Sequence, residues 1–152
     1  MNGFDGIVRG MKIEAEMSLG PSEAAVLYDA AGWVAYTRDL EKLGRAFAGS
    51  SLILTARDGS GELVGLARVV SDGETICYVQ DLLVRPDVQR SGVGRALMAE
   101  LRRRHESCSF FVLTTDSAGS DDARKSHPFY RAVGLIPHEE QRLTAFGLPV
   151  AH

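Results

Sequence analysis

The stretch Gln89-Arg-Ser-Gly-Val-Gly-Arg-Ala-Leu97 joins two segments of opposite periodicity. Residues 75–84 before it are mostly apolar, which predicts a strand, and residues 95–102 after it carry apolar side chains at helical spacing. Backbone N–H groups at a helix N-terminus have no partner inside the helix, and the helix dipole adds positive potential there. A glycine loop at that position therefore predicts a site for a phosphate group.

Two familiar phosphate loops do not fit these residues. A P-loop requires Lys and then Ser or Thr after its last glycine, whereas Gly94 is followed by Arg95 and Ala96. A dinucleotide fingerprint requires a third small residue three positions after Gly94, where this chain has Leu97. What remains is the spacing Gln-x-x-Gly-x-Gly, preceded by residues 84–88, Val-Arg-Pro-Asp-Val.

The composition of the whole chain is that of an ordinary globular protein. With 152 residues, 45% hydrophobic and 24% charged, we predict one domain over residues 1–152 with its core at about 10–148. The net charge of −3 argues against nucleic-acid binding, and no apolar run has the length of a membrane span. We expect no signal peptide, no metal site, free buried thiols at Cys77 and Cys108, and a cytoplasmic location.

The order of predicted elements is strand, two helices, three strands, helix, strand, helix and two final strands. The strands are expected at residues 11–17, 51–57, 62–70, 75–84 and 110–114, and the final pair at 135–137 and 141–147. Gly20-Pro21 begins the first helix, and Thr37 or Asp39 caps the second. The helix after the glycine loop carries Val93, Leu97 and Leu101 on one face, and Pro128 begins the last helix.

The glycine loop and this order of elements resemble the GNAT superfamily of acetyl-CoA-dependent N-acetyltransferases over roughly residues 10–148. A second segment, Phe129-Tyr-Arg-Ala-Val-Gly-Leu135, resembles the family's Phe-Tyr-x-x-x-Gly-Phe/Leu. The resemblance implies an α/β (α+β) fold with a mixed, mostly antiparallel sheet of six to seven strands. It implies that this sheet is splayed between strands 4 and 5 and flanked by about four helices. It also implies transfer of an acetyl group to a primary amine by direct attack in a ternary complex.

The resemblance also implies how acetyl-CoA would be held. One backbone N–H of the strand ending at Val84 would polarise the thioester carbonyl, and Leu83 is our expected donor. Relatives often carry Asn near the last helix, where this chain has Asp121 and Asp122, so that contact is not carried over. The expected cofactor-binding residues are Leu82, Leu83, Val84, Gln89, Arg90, Ser91, Gly92, Val93, Gly94, Arg95, Ser126 and Phe129.

Tyr130 is the expected acid for the leaving thiolate, since a phenol holds its proton at neutral pH; the alternative is a core aromatic residue. The base is less defined. Asp81 is the only carboxylate in its stretch of the strand, while the neighbouring Gln80 cannot accept a proton and Glu74 lies at the far end. Asp81 is expected as base or as the anchor of a water chain, or else as a structural hydrogen-bonding group. His127 is either a proton shuttle or a surface residue.

The acceptor side is expected at the first two helices, with Trp33 and Tyr36 beside Gln80, unless these rings only pack on the sheet. Strand alternation places Gln80 and Asp81 on opposite faces. The acceptor would be a small-molecule or peptide amine. GNAT proteins commonly dimerise, and the final strands could support a homodimer. The competing hypothesis is a non-catalytic acyl-CoA-binding sensor or interaction module on the same fold.

Overall fold

A mixed sheet forms the centre of the structure, a computed structural model that describes residues 7–150. Its strands lie side by side in chain order: β1 (Ile7–Val8), β2 (Met11–Ala15), β3 (Leu52–Arg57), β4 (Leu63–Ser71), β5 (Ile76–Val84) and β6 (Phe110–Val112). Neighbours from β1 to β5 are antiparallel, and β6 is parallel to β5 because α4 crosses over between them. The mixed, mostly antiparallel sheet is therefore confirmed.

The prediction of six to seven strands is wrong for the body of the sheet. Five strands of three or more residues make the body of the sheet, and Ile7–Val8 adds a two-residue strand at its edge that was not predicted. The expected pair at 135–137 and 141–147 is wrong, because residues 115–150 contain no strand. A 3₁₀ turn at His138–Gln141 stands there, and Arg142 after it has a left-handed backbone. Residues 141–150 are exposed, so no other layer covers an apolar strand face there.

Five α-helices occur in the described residues: α1 (Pro21–Ala30), α2 (Val34–Thr37), α3 (Leu40–Ala48), α4 (Val93–Arg104) and α5 (Ala123–Ala132). Pro21 stands at the first turn of α1, and the Asp39 side chain caps α3 by accepting from the Lys42 N–H at 2.9 Å. α2 is a single turn that was not predicted. α5 begins before Pro128, which lies inside it, because Ser120 Oγ accepts from the Ala123 N–H.

Two hydrophobic layers cover the sheet. On one face, Val93, Leu97 and Leu101 of α4 pack against strand residues such as Leu54 and Val79. On the other face, α1 and α3 contribute a second group of buried side chains, Ala24, Leu27, Tyr28, Leu43 and Phe47. The predicted apolar face of α4 is confirmed. β4 is buried on both faces from Leu63 to Val69. This strand, which pairs with β5, therefore lies in the middle of the core.

The chain divides into two compact units, with the boundary between Thr114 and Thr115. The first unit contains the whole sheet and α1 to α4, and the second contains α5 and the turn at His138–Gln141. Among residues 7–150, no helix combines the length and the apolar content that a membrane crossing requires. The prediction of a single domain remains a prediction.

Candidate active site

A β-bulge at Gln80 sets the geometry of β5. Before it, Val79 pairs with Val69, and after it, Asp81 pairs with Arg68, so Gln80 is an extra residue opposite β4. Cys77 and Val79 therefore belong to the layer under α4, whereas Leu83 belongs to the layer under α1 and α3. In an unbroken strand these residues would all share one face.

The bulge also determines which backbone groups of β5 face away from β4. The Arg85 N–H donates to the Val64 carbonyl at 2.8 Å, and hydrogen-bonded pairs alternate along an antiparallel ladder. Leu83, opposite Leu66, is thus bonded to β4, and the N–H and C=O groups of Leu82 and Val84 point to the other side. The expectation that Leu83 is the backbone donor is therefore corrected: its N–H belongs to the ladder, and Leu82 carries the outward N–H.

The outward groups of β5 lie where the sheet opens. β6 pairs with β5 only over Ile76–Tyr78, since β6 ends at Val112. Beyond that, β5 runs on from Gln80 to Val84 with no partner strand on this side in the described part of the chain. This open edge lies where the splay between the fourth and fifth predicted strands, β5 and β6, was expected. It leaves the N–H and C=O of Leu82 and the N–H of Val84 without a strand partner, as a ligand that binds like a neighbouring strand requires.

The glycine loop carries the chain from β5 to an uncapped helix N-terminus. Gly92 has a left-handed backbone with φ 90° and makes no side-chain cap, and the first helical bond runs from the Ala96 N–H to the Gly92 carbonyl at 3.0 Å. The N–H groups of Val93, Gly94 and Arg95 precede that bond and have no partner inside α4. Such N–H groups commonly bind anions, and the phosphate site itself stays a prediction.

Two side chains of the loop bind its own backbone, and two others are exposed to solvent. Gln89 Nε2 donates to the Val84 carbonyl at 3.1 Å, and the Ser91 hydroxyl donates to the Val88 carbonyl at 2.5 Å. Both bonds stabilise the loop itself, so the Ser91 proton is engaged. Arg90, with φ 64°, and Arg95 are exposed and make no ion pair within residues 7–150. Their guanidinium groups are therefore free to reach a phosphate.

Asp81 lies in the core beside the bulge, with 1% of its surface exposed. Its Oδ2 accepts from the Tyr28 hydroxyl and from Arg68 Nε, each at 2.6 Å. Its Oδ1 is buried and has no hydrogen-bond partner among the described residues. Burial, and after it the negative charge of Asp81, raises the pKa of Tyr28 far above its ordinary value, so Tyr28 keeps the proton that it donates.

Aromatic rings stand next to this carboxylate. Trp33 and Tyr36 stack with their centroids 6.2 Å apart, and the Tyr36 ring lies 5.0 Å from that of Tyr28. Gln80 Nε2 donates to the Tyr36 hydroxyl at 2.9 Å. The expectation that Gln80 and Asp81 occupy opposite faces is wrong, because the bulge turns both side chains toward this aromatic cluster. The structure therefore brings the predicted residues Trp33, Tyr36, Gln80 and Asp81 together.

The second unit contains the other predicted site residues. Tyr130 and Phe129 are half-buried, with their rings edge to face at 5.4 Å. Burial raises the pKa of the Tyr130 phenol. Ser126 Oγ lies 3.4 Å from Thr115 Oγ1, and His127 Nε2 lies 2.7 Å from the Asp116 carbonyl oxygen. His127 thus ties α5 to the loop before it.

The sequence alone did not identify two residues of the site, Arg68 and Tyr28. Arg68 is the only charged residue in the apolar run 63–70. Because a charged residue in a buried strand requires a partner, its presence there could have indicated a buried ion pair. Tyr28 gave no such signal, because a tyrosine on the apolar face of a helix is an ordinary core residue.

The model of the acetyltransferase (GNAT) domain matches residues 49–134, more than half of the chain. The chain belongs to the GNAT acetyltransferase family. An uncharacterized N-acetyltransferase, ycf52, of Porphyra purpurea is 31% identical over 117 residues, which are 75% of this chain and 63% of that protein. This chain therefore spans less than two thirds of the length of that relative.

Solved structures share the fold. A GNAT family acetyltransferase, SP0256 of Streptococcus pneumoniae TIGR4, is 30% identical with a TM-score of 0.78, over 93% of this chain and 99% of that chain. AAC(6')-Iy, in complex with the bisubstrate analog CoA-S-monomethyl-acetylneamine, is 17% identical with a TM-score of 0.61, over 93% and 99% of the two chains. The second likeness is one of fold alone.

Proposed function

We propose that this protein is an N-acetyltransferase that moves the acetyl group of acetyl-CoA to a primary amine by direct attack in a ternary complex. The observation that carries the proposal is the continuity of two binding surfaces. The outward backbone groups of Leu82 and Val84 lead directly into the loop that ends at the free N–H groups of α4. An extended arm ending in a pyrophosphate has the form that these two surfaces fit.

The residues present fit coenzyme A. Leu82 would hold the pantetheine arm through its N–H and C=O groups and Val84 through its N–H, and Val93, Gly94 and Arg95 would hold the pyrophosphate through backbone N–H groups. Arg90 and Arg95 would add charge at the phosphates. The complex of AAC(6')-Iy with a coenzyme A bisubstrate analog supports this choice of ligand.

When bound, acetyl-CoA supplies a thioester carbon at which the C–N bond forms as the C–S bond breaks. The Leu82 N–H stabilises the carbonyl oxygen as negative charge builds on it. The attacking nitrogen would lose one proton toward Asp81. The sulfur would gain one proton, for which we propose Tyr130 as the donor. Because Asp81 is almost fully buried and only its Oδ1 is unbonded, a bridging water fits between this carboxylate and the amine better than direct contact does.

The acceptor is a primary amine of a small molecule or a peptide. Trp33 and Tyr36 would pack against its carbon atoms and Gln80 would supply a polar contact. The Tyr36 ring lies against that of Tyr28, which donates to Asp81. The two cysteines, Cys77 and Cys108, are unpaired, which supports work in the reducing cytoplasm.

A second candidate function is an acyl-CoA-binding sensor without turnover. The observation that favours it is the state of Asp81, whose Oδ2 is fully engaged by Tyr28 and Arg68. No other carboxylate follows the bulge in β5. A protein that binds the cofactor without a working base would function as a sensor.

One experiment separates the two functions. The protein is incubated with acetyl-CoA and a panel of primary amines, free thiol release is followed, and coenzyme A binding is measured by calorimetry. The enzyme predicts turnover with at least one amine, and a Tyr130→Phe variant should lower kcat while the matched Tyr78→Phe variant does not. Binding without turnover across the panel favours the sensor. Absence of coenzyme A binding refutes both.

A further inference from the structure

The two oxygens of Asp81 have different surroundings. Oδ2 accepts two short hydrogen bonds, from the Tyr28 hydroxyl on α1 and from Arg68 Nε on β4. Oδ1 is equally buried and accepts none from the described residues. A buried carboxylate oxygen without a donor costs free energy, and nearly all buried polar atoms in proteins have a partner. Among the described residues, Oδ1 therefore keeps its capacity to accept a proton or a further hydrogen bond.

Arg68 is itself fixed on several sides. It lies directly opposite Asp81 in the ladder, it is 5% exposed, and its Nη1 donates to Ser50 Oγ at 3.2 Å. Its guanidinium also lies over the Phe47 ring, 5.9 Å from the centroid. A guanidinium held by strand pairing, a hydroxyl and an aromatic ring defines one position for Asp81 Oδ2.

Tyr28 supplies the second point of attachment. Its ring is fully buried between those of Tyr36 and Phe47, at 5.0 and 6.4 Å, so its hydroxyl has one direction. Two donors at fixed positions on different elements leave the carboxylate a single orientation. The bulge at Gln80 makes this arrangement possible, because it turns Asp81 toward α1.

A purely structural ion pair explains this arrangement poorly. Buried ion pairs are commonly no more stabilising than apolar residues of the same volume, and a half-bonded carboxylate is worse still. Tyr28 and Arg68 instead both bind Oδ2, so they fix one oxygen of the carboxylate and leave the other able to react.

We propose that Arg68 and Tyr28 are positioning residues that hold Oδ2 of Asp81 so that Oδ1 is presented to the water or amine that loses its proton. The inference rests on the proposed acetyltransferase function. In the proton transfer, the acceptor nitrogen keeps its electron pair for the new C–N bond, and its proton passes to Oδ1 directly or through one water. Tyr28 and Arg68 keep their own protons throughout.

The decisive variant is Tyr28→Phe, which removes one hydroxyl and leaves the ring in place. Its matched control is Tyr78→Phe, which removes a phenol that is 2.7 Å from Thr114 Oγ1 and does not contact Asp81. Tyr28→Phe should lower kcat about 10-fold, which is less than the loss expected when a general base is removed. The KM for acetyl-CoA should not change. Tyr78→Phe should leave both values unchanged.

Arg68→Lys tests the second attachment, and Arg57→Lys on β3 is its control. Arg57 also pairs with carboxylates, Glu16 and Glu23, but on a different part of the sheet. Arg68→Lys keeps the charge but loses the Nε geometry, so kcat should fall while the protein stays folded. Arg68→Met, which also removes the charge, should lower kcat further. Where that variant does not fold, the Tyr28→Phe result decides alone.

The Asp81→Asn background distinguishes positioning from a general loss of structure. If Tyr28 acts through Asp81, Tyr28→Phe should lower kcat in the wild-type protein and have no further effect in Asp81→Asn. Equal effects in both backgrounds, or an unchanged kcat in Tyr28→Phe, would overturn the inference while the wild-type turnover still supported the enzyme. If the wild-type protein acetylates no amine, the proposed function fails on that result, and the inference is overturned with it.

Discussion

Arg68 and Asp81 face each other across β4 and β5, and their side chains form an ion pair of 2.6 Å with both residues buried. The pair lies beside the bulge that separates the two hydrophobic layers of β5. Asp81 directly precedes Leu82, whose N–H faces away from β4, so the pair is adjacent in sequence to that outward group. Removing either partner leaves a charge in the core without compensation.

Asp81→Asn should reduce the free energy of unfolding by about 3 kcal/mol, because the Arg68 guanidinium loses its counter-charge inside the protein. Urea denaturation at neutral pH measures the change. Asp87→Asn is the control: Asp87 also pairs with an arginine at 2.6 Å, but its side chain is 64% exposed, and the expected loss is under about 1 kcal/mol. Equal losses in the two variants would contradict the prediction.

Amide-to-ester exchange at Leu82 and at Leu83 tests the register of β5, because it removes one backbone N–H and retains the side chain. At Leu82 we expect a kcat about 100-fold lower with little change in stability, since this N–H faces away from β4. At Leu83 we expect a loss of about 1 kcal/mol in unfolding free energy, because a ladder bond to Leu66 is lost. The reverse pattern would restore Leu83 as the donor.

The sequence predicted the five main strands, their order and the glycine loop before α4, because alternation, turn residues and helix starts are local signals. It could not predict the bulge. One extra residue in a strand changes neither composition nor turn chemistry, and only the pairing of Val79 with Val69 and of Asp81 with Arg68 reveals Gln80 as the insertion. Two errors follow from this: the donor assigned to Leu83, and the opposite faces assigned to Gln80 and Asp81.

The remaining errors have a similar cause. Residues 141–147 contain apolar side chains at strand-like spacing, but the turn at His138–Gln141 and the exposed Phe146 show that no layer buries them within the described chain. Periodicity predicts a strand only where another element covers its apolar face. The contacts of Arg68 and Tyr28 depend on tertiary packing, which a single sequence does not specify.

Acid should destabilise the protein through the Glu16 carboxylate. Its hydrogen bond from Arg57 holds the pKa of Glu16 below the ordinary value of 4.5, so the unfolded state binds the proton more tightly. This stability is complete above pH 4.5 and is lost as the pH falls through the folded value. Unfolding free energy measured in urea from pH 7 to pH 3 should therefore fall.

Arg57→Met should flatten that decline, because it removes the hydrogen bond that lowers the pKa of Glu16. Lys12→Met is the control, since the Lys12–Glu14 pair at 3.2 Å is exposed and contributes little. An unchanged decline in Arg57→Met would show that other carboxylates govern the acid response.

Gly92→Ala should weaken coenzyme A binding about 10-fold, a loss of about 1.4 kcal/mol. Gly92 has φ 90° at the start of α4, and an alanine there would force the loop away from the conformation that directs the N–H groups outward. Gly73→Ala is the matched control, because Gly73 has φ 81° with nothing within 4 Å of an added Cβ. Both variants should lose about 1 kcal/mol of stability through the same backbone strain. Only Gly92→Ala should raise the Kd for coenzyme A in calorimetry, and equal affinities in the two variants would place the pyrophosphate elsewhere.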